Sequence, residues 1–450
     1  MRLIARFAQE QEKFFEIITV YDKRTIIEHL NKKTPALISI AQDYPAAAWF
    51  ERKITDDFGI EILYSNDKRH LVKHEHFPKD IFPMQKKYTK LSVSHEEEVS
   101  LSTNNHGVIL RPTHPYLLES SQFQLFDKDQ TILHFEMMPF YKYRGIEKML
   151  EGLTLEEGTP IVERISATES IAYQTALLEI KLQASKKVLP EMLKKRHIFL
   201  LEFERILSHL SDLATLCQLV EFHDGSSFFD KLLELGREKM KELTGHRFGF
   251  NSIRLDNNTE NIDNVYEFLF SLEKDLISFE KWIETKDNIL KKMLLLGQIS
   301  KKDAEAYGLV GLVARCSSIN IDRRHDDNFY EKNDFYINLE EAGDTFSRFN
   351  IRITEIFTSL RVMRNLRTHE MLPFCMGTPV DGEYYSYVEA STGELMMYIS
   401  LKKGIIDRFY VRDASFLNGL ALSLAIKNSD VSTLGLIVKS IPLNISAIDL

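Results

Sequence analysis

The sequence predicts an α+β protein, with a small α/β-type unit over residues 1–95 and a large, mainly helical unit with small β elements over residues 96–450. Three observations carry that prediction. Two strand-like runs open the chain, LIARFAQ and KFFEIITVYD. Its middle keeps apolar residues at helical spacing over long stretches. Two later regions switch to period-two alternation around turn residues. A chain of 450 residues is long enough for two units, each with its own core.

Taken in order, PALISIAQDYPAAAWFERKITDDFGI supplies helical periodicity around Trp49, Ile54 and Phe58. HLVKHEHFPKDIFPMQKKY, with two prolines and scattered charge, reads as an extended excursion between the units. SSQFQLF and TILHFEMM flank DKDQ as a β-hairpin. From about residue 145 to 300 the pattern is helical, and HIFLLEFERILSHLSDLATLCQLVEF holds one apolar face for six turns. AGDTFSRFNIRITEIFTSLRVMRNL adds another helix at about 342–366. YYSYVEA, ELMMYISL and GIIDRFYV read as short strands, and FLNGLALSLAIKNSDVSTLGLIVKS as a helical tail. No internal repeat or low-complexity tract appears. The large unit is therefore expected to be a helical bundle carrying small sheets.

Composition narrows the function. The chain is 44% apolar and 27% charged, as in ordinary globular proteins. A net charge of -9 argues against a nucleic-acid partner. No window of eighteen apolar residues free of charge occurs, so membrane contact is expected only through partners. The N-terminus MRLIARFAQEQEKFF has no signal-peptide core, which predicts a cytoplasmic chain. Cys217, Cys316 and Cys375 lie far apart and form no CxxC pair, so each is expected to be a small buried hydrophobe rather than a metal ligand. His74-Glu75-His76 has i, i+2 histidines on an irregular segment and is expected to be exposed, with no metal. G-x-S-x-G, H-E-x-x-H and G-x-x-x-x-G-K-[ST] are all missing, which removes support for a free-standing hydrolase.

Eight short motifs, in order, carry a family resemblance. Trp49-Phe50-Glu51-Arg52-Lys53-Ile54-Thr55-Asp56-Asp57-Phe58-Gly59-Ile60 resembles the W-F-E-R-E-I-x-D-L-F-G-I signature of the C-type subunit of NADH–quinone oxidoreductase, with Lys53 and Asp57 as departures. Arg111-Pro112-Thr113-His114-Pro115 resembles the G-P-x-H-P of the D-type subunit, and Tyr143-Arg144-Gly145-Ile146-Glu147-Lys148 its H-R-G-x-E-K. Glu163-Arg164-Ile165 is similar to E-R-V, Leu243-Thr244-Gly245-His246-Arg247-Phe248 to L-T-G-H-R-F, and Gly343-Asp344-Thr345-Phe346-Ser347-Arg348 to G-D-V-x-A-R. Val388-Glu389-Ala390 with Gly393-Glu394 resembles V-E-A-P-x-G-E, and Ser415-Phe416-Leu417-Asn418 resembles S-F-x-N. The resemblance runs from about residue 40 to the end. It is to a fused C/D subunit of the complex I and membrane-bound NiFe-hydrogenase superfamily, in which the hydrogenase-4 and formate-hydrogenlyase branch also carries the fusion.

The resemblance implies a C-like domain at residues 1–95 and a D-like, hydrogenase large-subunit-like domain at 96–450. It implies no cofactor in this chain, a 4Fe–4S cluster in a partner small subunit, and quinone as the candidate acceptor. Expected partners are that iron–sulfur subunit and membrane subunits of antiporter-like and quinone-channel-like type, on the cytoplasmic side of the inner membrane. Hydrogenase members hold their metals with four cysteines, whose soft thiolates set the metal preference. Here Ser166, Glu169, Asn444 and Ala447 fall at those positions. Ala167 falls where complex I members carry the quinone-site tyrosine, and Leu118 where they carry a histidine.

Several candidate site residues remain, each with alternatives. Arg144 either faces the partner's cluster or makes an intramolecular ion pair with Glu147 or another carboxylate. Glu169, expected on one helical face with Ser166, is a proton relay, a solvated helix carboxylate or a structural partner for Arg164. His114 is either a cavity group or a satisfied turn histidine. Arg323-Arg324-His325-Asp326-Asp327 is expected to dock or to form ion pairs. Two functions compete: a redox subunit beside an iron–sulfur cluster, and a non-redox scaffold or coupling subunit of an ion-translocating membrane complex.

Overall fold

The computed structural model describes residues 1–74, 77–78, 80–88, 107–117, 119–255, 263–333, 335–366 and 374–450. The boundary expected at 95/96, Leu118, Glu75 and His76 lie outside the described residues. The N-terminal region is an antiparallel meander of Leu3–Glu10, Phe14–Tyr21 and Thr25–Asn31. A short parallel pair, Ala36–Ile38 with Glu61–Leu63, brackets the helix Ala47–Phe58. Strand and turn occupy the first part of the segment expected to be helical. The helix stops at Gly59, whose φ of 75° suits glycine and whose N–H returns to the Thr55 carbonyl.

That helix buries polar residues on nearly every side. Glu51 meets Arg6 at 2.5 Å, and Asp56 accepts from the amides of Leu71 and Val72 at 2.7 and 2.8 Å. Its apolar residues divide between two cores. Ile54 and Phe58 join Phe15, Ile17 and Met84 in a small local core. Trp49 and Phe50 pack on Phe416, with ring centroids 5.5 and 4.8 Å apart. The first strand also reaches across: Phe7 stacks on Tyr410 at 4.1 Å, and Arg408 and Arg412 donate to the carbonyls of Ala8 and Ile4. The N-terminal unit thus has a core of its own and shares a second with the C-terminal sheet.

The large region opens with a sheet of Val108–Leu110, Gln122–Lys128 and Thr131–Met138. Its hairpin turns on Asp129 and Gln130, both at positive φ (52° and 65°), the conformation a two-residue hairpin loop demands. The bundle follows as helices Ser170–Ala184, Glu191–Leu219, His223–Thr244, Asp263–Ile283 and Thr345–Arg364. Asp344 caps the last of these by accepting from the Ser347 amide at 2.8 Å. The C-terminal sheet runs Gly382–Glu389, Glu394–Lys402 and Ile405–Arg412, with its middle strand buried on both faces. Helices Ala414–Ile426, Leu434–Ser440 and Ile445–Asp449 end the chain. No helix among the described residues is long and apolar enough to cross a membrane.

Candidate functional site

The E-R-I-S-A-T-E-S segment is a break between helices rather than one continuous helix. Helix Leu155–Val162 ends just before it, a 3-10 turn spans Ala167–Glu169, and helix Ser170–Ala184 starts after it. This corrects the expectation that Ser166 and Glu169 share a helical face: Ser166 precedes the 3-10 turn and Glu169 ends it. The helix start leaves amide groups unsatisfied. Glu204, buried on Glu191–Leu219, accepts from the Ile171 and Ala172 amides at 2.7 and 3.0 Å.

A cavity of about 90 Å³ opens at this break, lined by Ala167, Thr168 and Glu204, by Thr392, and by Asn444 from the start of the final helix. The L-T-G-H-R-F motif walls it through Arg247 and Phe248. Arg247 grips Glu234 with two bonds of 2.7 and 2.6 Å, and Arg237 lies over the Phe248 ring at 5.5 Å. The space admits a few water molecules. Typical small-molecule pockets hold roughly 300–1,000 Å³, so this cavity by itself does not enclose a quinone headgroup.

Glu169 is fully buried beside this cavity. It accepts from Ser391 Oγ at 2.9 Å, the Thr392 amide at 2.8 Å and Asn444 Nδ2 at 2.6 Å. Burial, then the Asp413 carboxylate, pushes its carboxyl up to about 8. It is neither solvated nor a partner of Arg164. Arg164 instead pairs with Glu163, donates to the Pro160 carbonyl and lies 4.8 Å over the Phe250 ring.

Arg144 is exposed and fixed by backbone carbonyls alone, those of Arg164 (3.3 Å), Ile165 (2.8 Å) and Ser446. It makes no ion pair among the described residues, so of the two alternatives the intramolecular pair with Glu147 or another carboxylate is overturned. Glu147 belongs to a different place: it is buried between Lys53 (3.3 Å) and Arg408 (2.7 Å), where the two units meet. Its carboxylate is drawn away from the cavity by those two cations. Lys53 also bonds Asp57 at 2.5 Å, so both departures from the C-type signature face each other in the interior. Burial pushes the Asp57 carboxyl up to about 6.

His114 is a satisfied structural histidine away from the cavity. Its Nε2 bonds the Ser121 carbonyl at 2.9 Å, its ring centroid lies 4.3 Å from that of Phe123, and burial lowers its pKa. Ser166 is buried, with Oγ 3.2 Å from Thr168 Oγ1. Ala447 is buried on the final helix behind Asn444. Ser166, Ala167, Glu169, Asn444 and Arg144 are thus brought together, Ala447 stands behind them, and Glu147, Arg164 and His114 lie elsewhere. His74 bonds the Pro139 carbonyl at 2.7 Å and stacks on Tyr141. Arg323 and Arg324 form ion pairs with Glu394 and Asp322.

Sequence reasoning missed Thr168, Glu204, Ser391, Thr392 and Asp413. One signal was available: Ser391 stands at the proline of the V-E-A-P-x-G-E pattern, and it is Ser391 that donates to Glu169. A NiFe centre does not fit this chain. Four thiolates are needed and only three cysteines exist. Cys217 and Cys316 are buried, burial pushes each thiol up to about 12, and Cys375 is exposed. None lines the cavity. No cluster able to hold a metal ion occurs among the described residues.

A small meander unit sharing a core with a helical bundle, joined to a break-and-cavity site, defines a two-part polypeptide of the C/D fusion type. The family profile described as the respiratory-chain NADH dehydrogenase 30 Kd subunit matches residues 4–92, and that described as the 49 Kd subunit matches residues 234–373. The chain belongs to this family as a fused 30 kDa-type and 49 kDa-type subunit of the complex I superfamily. Among its relatives, the NADH-quinone oxidoreductase C/D subunit of Phocaeicola vulgatus is 24% identical over 88% of this chain and 83% of its own length. The NADH-quinone oxidoreductase D subunit of Dehalococcoides mccartyi is 27% identical over 78% of this chain and its whole length. Formate hydrogenlyase subunit 5 of Escherichia coli is 25% identical over 75% of this chain, which spans 63% of that protein's length.

Proposed function

We propose that this chain is a peripheral-arm subunit of a membrane-bound complex I-like or hydrogenase-4-like oxidoreductase. It docks beside an iron–sulfur small subunit, contacts the membrane only through partners on the cytoplasmic side of the inner membrane, and has no hydrogenase activity of its own. The observation that carries this reading is Arg144. A guanidinium held by three carbonyls, exposed and without a carboxylate among the described residues, is a fixed positive charge available to a partner. The partner's 4Fe–4S cluster would supply the electron transfer. A nearby fixed cation favours the reduced, more negative form of such a cluster. Electron delivery to quinone follows as the family's chemistry, with the headgroup seated between subunits because the cavity here is too small to enclose it.

The size of that cavity also favours a second reading, a non-redox scaffold or coupling subunit of an ion-translocating complex. Ala167 in place of a tyrosine supports it further. Redox titration of the cluster signal in the assembled complex separates the two. With Arg144→Gln, the redox reading expects a midpoint lower by on the order of tens of millivolts, from the lost Coulomb attraction. An unchanged midpoint, or no cluster signal at all, leaves only the scaffold reading.

A further inference from the structure

The bonds around Glu169 form a chain with two self-consistent polarities. Asn444 Nδ2 donates to Glu169 Oε2 at 2.6 Å, and Thr168 Oγ1 donates to Asn444 Oδ1 at 3.1 Å. Thr168 Oγ1 also lies 3.2 Å from Ser166 Oγ. With Glu169 ionised, every bond runs toward the carboxylate. If the carboxyl is protonated, it needs an acceptor on Oε2. A half-turn of the Asn444 amide provides one: Oδ1 accepts from the acid, Nδ2 donates to Thr168 Oγ1, and the Thr168 hydroxyl donates to Ser166 Oγ. The two ends of a carboxamide are nearly identical in shape, so the turn needs no repacking. Glu169, Asn444 and Thr168 each keep a partner along the chain in both states.

The chain is also open to water at one end only. Thr168, Asn444 and Thr392 line the cavity, whereas Glu169 is 0% exposed behind them. We propose that Glu169, Asn444 and Thr168 form a proton-binding site that exchanges one proton with water in the cavity, the Asn444 amide turning over as the proton arrives. The step balances simply: a hydronium in the cavity gives its proton to the carboxylate and remains as water.

The surroundings favour occupancy of such a site near neutral pH. Asp413, at the start of Ala414–Ile426, adds a second acid, bonded by Tyr173 Oη at 3.1 Å and the Ser415 amide at 2.7 Å. Glu204 adds a third from the long helix, held by the two amides at the start of Ser170–Ala184. The nearby cations are engaged elsewhere: Arg144 bonds carbonyls, Arg247 on the cavity wall pairs with Glu234 beside Arg237, and Arg205, which acts on Glu204, bonds Glu202. Burial and the Asp413 carboxylate make the Glu169 proton harder to lose, and burial together with Glu169 holds the Glu204 carboxyl well above the usual range. Ser391, Thr392 and Asn444 are neutral donors that allow the ionised form to exist at all. The inference goes beyond the electron-transfer reading and does not rest on it, because it concerns this chain alone.

Infrared difference spectra of the full chain between about pH 6 and pH 9.5 test it, since that window brackets the midpoint of a strongly raised carboxyl. The expected result is a protonated-carboxyl carbonyl band that disappears with a midpoint near 8 and is absent from Glu169→Gln. Other buried carboxyls, Glu389 at about 7 and Asp57 at about 6 among them, titrate at lower midpoints and serve as internal references. A component near 8 that persists in Glu169→Gln, or no such component in the wild type, overturns the proposal. Asn444→Leu keeps Glu169 but removes the amide, so it decides the matter even if the glutamine variant does not fold. It is expected to raise the midpoint by about one pH unit, because the amide's bond to the anion is stronger than its bond to the neutral acid. An unchanged midpoint in Asn444→Leu overturns the role assigned to the amide.

Discussion

Two clusters of buried acids sit within this bundle, and they are stabilised in opposite ways. In the first, Glu202, Asp322, Glu355 and Glu389 surround Arg205, Arg315 and Arg324. Arg315 alone meets Glu389 at 2.7 Å, Glu355 at 2.8 Å and Asp322 at 3.0 Å. Four carboxylates face three guanidiniums, and the imbalance falls on Glu389, which burial and Asp322 push up to about 7. In the second, Glu169, Glu204 and Asp413 form no ion pair among the described residues. They are held by amides, hydroxyls and one carboxamide. A charge-compensated network fixes structure. In the uncompensated one, burial raises the Glu169 and Glu204 carboxyls so that they favour holding protons.

Mutations should break the two clusters differently. The largest effect is expected from Arg315→Met, which leaves buried Glu389 without a guanidinium and takes one partner each from Glu355 and Asp322. Removing one partner of a buried ion pair costs about 3–5 kcal/mol, so urea unfolding should show a loss of at least that size. Lys53→Met at the junction of the units should cost less, about 2–3 kcal/mol, because Arg408 still meets Glu147. The same unfolding assay reads it, and a loss matching that of Arg315→Met would contradict the ranking.

Glu169→Gln should act through pH rather than through packing. A carboxyl raised from 4.5 to about 8 holds a proton in the folded chain that the unfolded chain has already lost. Stability from this group is therefore complete below about pH 4.5, declines as pH rises, and has been lost above about pH 8. Thermal melts across that window should show a steeper decline in wild type than in Glu169→Gln, with the variant the more stable at alkaline pH. Parallel curves would show that Glu169 titrates normally. The smallest effect is expected from Arg164→Ala. Its side chain is 52% exposed, so loss of the Glu163 pair should cost within about 1 kcal/mol.

The same contrast explains what was legible in the sequence. The hairpin, the Gly59 stop and the long helices follow from local patterns, and the structure reproduces them. Sharing of a core between the first strand and the C-terminal sheet left no local trace, because Phe7 and Tyr410 meet only through the fold. The site was half legible. Replacement of cysteine-position residues identified Ser166, Glu169 and Asn444, but what Glu169 touches lies 222 to 275 positions away in the chain. Glu147 misled for the reciprocal reason. Three residues from Arg144 in sequence, it is claimed by Lys53 and Arg408 from distant segments.

The place proposed for this chain is beside a partner's iron–sulfur cluster. Purification of the chain from native membranes in mild detergent, with subunits identified by mass spectrometry and iron quantified, tests it most directly. Co-purification of an iron-loaded small subunit together with membrane subunits is the expected result. Recovery of the membrane subunits without iron would contradict it and leave a coupling scaffold.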